Sequence, residues 1–345
     1  MFSPVLPAGC LVVVTGVNGY VGSHVAEKLL QQGYMVRGTV RNITRCQWLL
    51  KLFEEKYGKG KFELAMVEDM ARDGAYDQAV KGASGIVHVA AILQAGPDPN
   101  LAIPPVLAGI RGILQSAARE ESMRRFVLTS SAIAVLEPTL LKETVTVDMW
   151  NDRAVERAWA PPPYLESRST DVYAASKVLG EKEMWSWVAR EKPHFVANSV
   201  IPPVVLGKPL STKDQGYPST SAIPVTMLEN DTAAMAAFIN HFPPYFFVHV
   251  EDVARLHVAA LIRPEVVNER LFAFAGPFNR NDILAILQKL FPKRELAPKA
   301  PGLLNNESEI QPAKRAEELL QEIWGTGFRN LDTAVRDTLK DYLGK

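Results

Sequence analysis

Three features of this 345-residue sequence predict an α/β fold, a doubly wound parallel sheet with helices on both faces. Short apolar runs alternate with amphipathic stretches through the first half, the pattern of strands joined by crossover helices. A glycine-rich turn, TGVNGYVG, joins the first apolar run to the first amphipathic stretch. After residue 202 the texture changes to Pro, Ser, Thr and aromatics, which predicts a smaller C-terminal domain.

CLVVVT (10–15) reads as a buried strand from its length and β-branching. The stretch after the glycine turn reads as a helix, with Val21, Val25 and Leu29 recurring on one face. YMVRGTV (34–40), KFELAMVED (61–69), SGIVHVAAI (84–92) and RRFVLTSSAI (124–133) read as the second to fifth strands. PPVLAGIRGILQSAAREE (104–121) has helical spacing, and so does DVYAASKVLGEK (171–182). IPPVVLGKPL, YPSTSAIP and FPPYFF mark the irregular region. VHVEDVARLHVAALI (248–262) returns to strand-then-helix. The expected division is therefore 9–202, rejoined by 248–275, and a smaller unit over 203–345. The tail is charged and helical, ending in AVRDTLKDYL.

This length favours about two domains. Lys+Arg and Asp+Glu balance at 38 each, and no basic block stands out, so neither nucleic acid nor an anionic membrane is expected as partner. Cys10 and Cys46 form no CxxC and no paired framework, which fits a reducing compartment. MFSPVLPAG has no basic or apolar signal region, and the longest apolar runs fall short of a membrane span. The expectation is a cytoplasmic protein, monomeric or homodimeric. None of the six histidines sits in a ligand cluster such as HExxH, so no metal is expected.

Gly16, Gly19 and Gly22 have TGxxGxxG spacing between a strand and a helix. Glycine serves where the chain turns tightly, where backbone approaches a pyrophosphate and where the helix packs on the sheet. The helix N-terminus then offers unpaired N–H groups to phosphate. A plain strand–helix connection is the alternative, but the context that a dinucleotide site needs is present, and the sheet is expected to be Rossmann-type.

In an NAD site an acid about 20 residues on accepts from the ribose hydroxyls. From Val36 to Arg45 there is no acid, but Arg37, Arg41 and Arg45 are present. Guanidinium forks fit a 2′-phosphate, so NADP (NADPH) is expected, with Arg41 just past the strand and Arg45 a turn further. Solvated arginines on an edge loop are the alternative. Asp69 is placed to accept from the adenine amino group, unless it caps the next helix.

Tyr173 and Lys177 stand four apart on a helical stretch and so share one face. On their own they would read as a surface helix with snorkelling side chains. TGVNGYVG, LTSS ending at Ser131, YAASK (173–177) and FVHVEDVA (247–254) together resemble the extended short-chain dehydrogenase/reductases. More closely, VRGTVR, VEDM, TSSAI and YAASK resemble fungal aldehyde and ketone reductases of the aldehyde reductase II type, and plant dihydroflavonol reductases. The resemblance covers nearly the whole chain and thins after residue 290.

It implies NADPH-dependent reduction of an aldehyde or ketone, with Tyr173 as acid, Lys177 as its lysine and Ser131 as its serine. Ser130 is the weaker candidate, because faces alternate along a strand. The chemistry agrees: a phenol ordinarily titrates near 10, and an adjacent ammonium favours the phenolate and eases proton exchange. Ser131 would hold the carbonyl oxygen. Implied cofactor positions are Gly16, Asn18, Gly19, Tyr20, Val21 and Gly22 in the turn, with Arg41, Arg45, Asp69 and Met70. HVAA (88–91) stands at the second cofactor loop, giving Ala90; Thr129, Tyr173, Lys177, Pro202 and Val204 complete the set.

The family's relay asparagine has Gly112 near its position, which puts such a relay in doubt, and Pro203 doubles the family's proline and narrows the pocket. Nucleotide-sugar epimerases and coenzyme A–dependent reductases need cations for a diphosphate. From Pro203 to Phe247 the only ones, histidine aside, are Lys208 and Lys213. Ile223, Met227, Phe238, Tyr245 and Phe246 suit a small neutral carbonyl compound with an apolar body, unless they are simply core. Ile92, Leu93, Ile133, Thr170 and Pro203 are expected to border the carbonyl pocket. A dihydroflavonol- or hydroxysteroid-type dehydrogenase and a non-catalytic NADP-sensing regulator are the alternatives.

Overall fold

The computed structural model describes residues 3–92, 96–138, 142–237 and 243–343; Leu93, Phe238 and His241 lie outside the described residues. Strands in the first half are β1 (Leu11–Thr15), β2 (Met35–Val40), β3 (Phe62–Met66), β4 (Ala83–His88), β5 (Arg125–Thr129) and β6 (Thr144–Val145). The second half adds β7 (Val196–Ile201), β8 (Val204–Leu206), β9 (Tyr245–His249), β10 (Arg270–Phe272), β11 (Gly276–Phe278) and β12 (Glu309–Ile310). Helices α1 (Tyr20–Gln31), α2 (Gln47–Tyr57), α3 (Pro99–Arg119), α4 (Asp152–Ala158), α5 (Ser169–Glu191) and α6 (Thr212–Gln215) precede α7 (Ala222–Glu229) and α8 (Thr232–Ala237). The chain closes with α9 (Val250–Ile262), α10 (Arg280–Leu290), α11 (Ala313–Trp324) and α12 (Leu331–Thr338).

Among the described residues a seven-stranded sheet runs β3-β2-β1-β4-β5-β7-β10, parallel at every pairing. The doubly wound Rossmann-type fold predicted from the sequence is the fold observed. β1 lies inside the sheet and is covered on both sides, which explains its unbroken Val12–Val13–Val14 run. Val12 and Val14 point into a core shared with α1 and α9, and Val13 into the opposite core with α3 and α5 residues such as Ile113 and Met184.

Three expected strands are too long at their carboxyl ends: the third stops at Met66, the fourth at His88 and the fifth at Thr129. In the fourth the reason is local. The backbone N–H groups of Val89 and Ala90 donate to the Thr15 hydroxyl, both at 3.0 Å, so they no longer serve the ladder. β7 and β10 went unread in the sequence.

α3 begins five residues earlier than expected, at Pro99, with the Asp98 side chain accepting from Asn100 N at 2.9 Å. Pro104 and Pro105 lie inside it. With 21 residues it is also long and apolar enough to cross a membrane by length and composition, against the expectation from the apolar runs. Half of its apolar window is buried in the fold, packed on α5 and the sheet.

Beyond β7 the dipeptide Pro202–Pro203 leads straight into β8, which pairs parallel with β9, while β11 pairs antiparallel with β9. This small sheet, α7, α10 and α12 enclose a second core. Ile223, Met227, Tyr245 and Phe246 belong to that core, so the simpler reading of these side chains holds. β9 passes without a break into α9, which packs on α1.

Candidate active site

The glycine turn is fixed by close backbone packing. Gly16 has a φ of +60°, and a Cβ there would sit 3.0 Å from the Cα of Ala90. A Cβ on Gly22 would stand 2.4 Å from the Gly16 carbonyl oxygen, so α1 approaches the turn at backbone contact. Gly19 is the extended residue that opens α1, whose first turn carries no acidic side chain. The turn thus presents free N–H groups to an anion, in a cradle that a larger residue would fill. Asn18 is exposed, Val21 half-buried, and the buried Tyr20 phenol donates to Gly207 O at 2.6 Å. Tyr20 therefore faces the small sheet with its ring and the turn with its backbone.

Arg41 and Arg45 are exposed beyond the end of β2, and no described protein group pairs with either guanidinium. Arg37 differs: it bonds Glu63 at 2.6 Å and the Ala79 and Lys81 carbonyls at 2.9 and 2.8 Å. Asp69 is exposed and accepts from Ala71 N at 2.9 Å, so one carboxylate oxygen closes a local turn.

Buried polar pairs lock the strand ends. Thr15 Oγ1 already accepts two N–H groups, so its proton goes to His88 Nδ1 at 2.9 Å. Burial, helped by the charge of Lys177, holds His88 down at about 3, and the ring is neutral. Thr129 Oγ1 meets His257 Nε2 at 2.7 Å, while His257 Nδ1 donates to Val253 O at 2.8 Å. Burial lowers His257 to about 4, so it too stays neutral and accepts from Thr129.

A narrow cleft opens at these carboxyl ends, bordered by Met70, Ala90, Ile92, Thr129, Lys177 and Glu181 among others. Ser130 and Ser131 point to different duties. Ser130 is buried and donates to Glu181 at 2.6 Å. Ser131 is half-buried and extended, and opens a single 3₁₀ turn with its Oγ 3.4 Å from Ile133 N. That turn is tied by Ala132 N to Pro202 O at 2.9 Å, and by Asn151, whose side-chain amide donates to Ile133 O at 3.0 Å. α5 packs against this turn. Tyr173 is 40% exposed on α5, and Lys177 Nζ lies 5.9 Å from its ring centroid. Arg157, joined to Asp171 at 2.9 Å and to Glu137, braces the first turns of α5.

Of the expected substrate residues, Ile92 borders the cleft. Ile133 sits half-buried in the 3₁₀ turn, Pro203 is half-buried between β7 and β8, and Thr170 is exposed at the start of α5. Pro202 and Val204 are buried. Sequence reasoning missed Thr15, Glu181 and His257. Of these only Glu181 left a readable signal, one turn beyond Lys177 on the same helix face.

The profile of the NAD dependent epimerase/dehydratase family matches residues 12–273. NAD-dependent epimerase/dehydratase terH of Aspergillus terreus is 40% identical over 85% of both chains. Ketoreductase adrE of Penicillium rubens is 39% identical, and aldehyde reductase 2 of Sporidiobolus salmonicolor 35% identical, each over 96% of both chains. Among solved structures, Gre2 from Candida albicans in complex with NADPH superposes with a TM-score of 0.81 at 24% identity, covering 97% of this chain and 100% of that one. With the glycine cradle, the parallel sheet and these relatives together, the chain belongs to the NAD dependent epimerase/dehydratase family, within the extended short-chain dehydrogenase/reductase enzymes.

Proposed function

We propose that this enzyme reduces a small neutral aldehyde or ketone with an apolar body to its alcohol, using NADPH, with Tyr173 as the proton donor. The observation that carries the reading is the placing of Tyr173 and Lys177 on one face of α5, which packs on the turn opened by Ser131. Bound against the glycine turn, NADPH would supply the hydride for the carbonyl carbon. Ser131 Oγ–H donates to the carbonyl oxygen and orients it. The Tyr173 hydroxyl delivers the proton as negative charge develops on that oxygen. Lys177, half-buried at the cleft wall with its Nζ 5.9 Å from the Tyr173 ring centroid, has donors for the nicotinamide ribose. Thr129, fixed by neutral His257, and Pro202 with Val204 would hold the nicotinamide side.

Arg41 and Arg45, paired with no described protein group and in a stretch without an acid from Val36 to Arg45, support a 2′-phosphate and hence NADPH over NADH. A neutral substrate fits the cations of residues 203–237 and 243–247. There Lys208 is engaged by Asp341, leaving Lys213 alone for a diphosphate. The names of the relatives, two of them reductases of carbonyl compounds, point the same way. The free thiols Cys10 and Cys46 agree with a reducing, cytoplasmic location.

The test is NADPH oxidation across a panel of aldehydes, keto esters and flavonoids, with NADH and a nucleotide sugar as comparisons. Turnover of at least one carbonyl compound with NADPH is expected. Conversion of the nucleotide sugar alone would overturn the reading.

A further inference from the structure

Tyr173, Lys177 and Glu181 descend one face of α5 at successive turns, from the exposed phenol to a carboxylate with no exposed side-chain surface. Glu181 accepts five hydrogen bonds from four residues. Ser130 donates at 2.6 Å, Ser199 of β7 at 2.7 Å and Trp185 of α5 at 3.3 Å, and Arg270 of β10 donates twice, at 2.9 and 3.3 Å. Arg270 Nη1 also donates to Val147 O and to Met149 O, and the guanidinium carbon lies 3.8 Å from the Trp150 ring centroid. The next residue, Asn151, holds the turn that Ser131 opens, through Ile133 O and Ala134 O.

These bonds form a closed circuit. It runs from Glu181 to Ser130, through the Ser131 turn to Asn151, back along residues 150–147 to Arg270, and so to Glu181. Stability alone does not call for such a pair, since replacing a buried ion pair by packed apolar groups is often neutral or favourable. A carboxylate whose acceptor sites are all taken by directed donors fixes distances instead. The distances it fixes are those between the Ser131 strand end and the helix face of Tyr173 and Lys177.

Resting on the carbonyl-reductase reading above, we propose that the Glu181–Arg270 pair is a positioning device for the reaction, setting the separation of Ser131 from Tyr173 and Lys177. Glu181 lies at the cleft wall with no exposed side-chain surface and Arg270 behind it, and both act through Ser130 and the helix. Misplacement of reacting groups by about an ångström costs up to about a hundredfold in rate, without a matching loss of binding.

The experiment compares wild type with Tyr173→Phe, Ser130→Ala and the double variant Glu181→Gln/Arg270→Met, which removes both charges and keeps an acceptor for Ser130. Measured are kcat and KM for a carbonyl substrate, NADPH affinity from tryptophan quenching, and Tm. Ser130→Ala should lower kcat about tenfold and the double variant up to about a hundredfold, with NADPH affinity within about threefold of wild type. Combining Ser130→Ala with the double variant should cost little more than the double variant alone, because one circuit is cut twice. Full activity in Tyr173→Phe would remove the underlying reading. An inactive Tyr173→Phe beside a Ser130→Ala protein of wild-type kcat would overturn the positioning role alone. That second comparison decides the question even if the double variant does not fold.

Discussion

Tyr173→Phe removes one oxygen and nothing else. The Tyr173 side chain is 40% exposed, and no described protein group bonds its hydroxyl, so its loss leaves no orphaned donor or acceptor in the fold. Stability should therefore stay within about 0.5 kcal/mol of wild type, as for an ordinary surface change. NADPH affinity should hardly move, because Lys177 and the glycine turn are untouched. Catalysis is the exception. The developing alkoxide is left with Ser131 and water, and general acid catalysis is worth about 10²–10⁴ in rate, or roughly 3–5.5 kcal/mol of barrier. The catalytic effect thus exceeds the structural one by several-fold. Initial rates at saturating NADPH, with a thermal melt and a fluorescence titration on the same preparation, separate the two. KM should change far less than kcat, since the lost contact acts in the transition state. A variant with kcat within a few-fold of wild type would refute the proton-donor role.

Arg41→Ala should weaken NADPH by one to two decades, the worth of about 1.5–3 kcal/mol for a charge-assisted contact, and leave NADH unchanged; equal effects on both would refute the phosphate role. Gly22→Ala puts a methyl 2.4 Å from the Gly16 carbonyl oxygen, so α1 must move from the turn, with an expected cost of about 1–3 kcal/mol in urea unfolding and a loss of NADPH quenching. Normal values in both measurements would contradict that packing. Burial holds His24 and His257 at about 4 and His88 at about 3, below the unfolded value near 6.5. The unfolded chain thus takes up protons first, and stability is full above about pH 6.5 and falls toward pH 4, by up to about 1.4 kcal/mol per pH unit for each ring. A urea midpoint that stays constant from pH 7 to 5 would show that these rings are not held neutral. Ile133→Ala should shift relative rates across a substrate panel by about 1–3 kcal/mol, and an unchanged ranking would take Ile133 out of the pocket wall.

How much of this was legible in the sequence depends on the range of the forces involved. β1, the glycine turn and α1 are written in local signals, β-branched runs and obligate small residues, and they appear where expected. Spacing along one helix puts Tyr173 and Lys177 on a shared face, a local property, but the roles expected of them and of Ser131 come from the resemblance of TSSAI and YAASK to a family and not from spacing. The ends of β3, β4 and β5 were not, since they depend on which amide finds a partner across the sheet, as Val89 and Ala90 find Thr15. Pro104 and Pro105 argued for a later helix start, yet the Asp98 cap and a buried face carry α3 through them. Arg270 and Glu181 lie 89 residues apart in sequence, and no pattern of spacing announces such a pairing.

The junctions between the two sheets have a thermodynamic consequence. β7 reaches β8 through two prolines, whose φ angles are fixed, and β9 becomes α9 with no residue between them. α9 in turn lies against α1, the helix that opens on the glycine turn. A tilt of the small sheet would be handed on through these joints toward the cofactor cradle. A ligand that tilts it would then alter the affinity of the other half of the cleft. By reciprocity, the factor by which a bound alcohol or ketone alters NADPH affinity equals the factor by which NADPH alters theirs. The size of that shared factor would then be set by the joints as well as by the pockets.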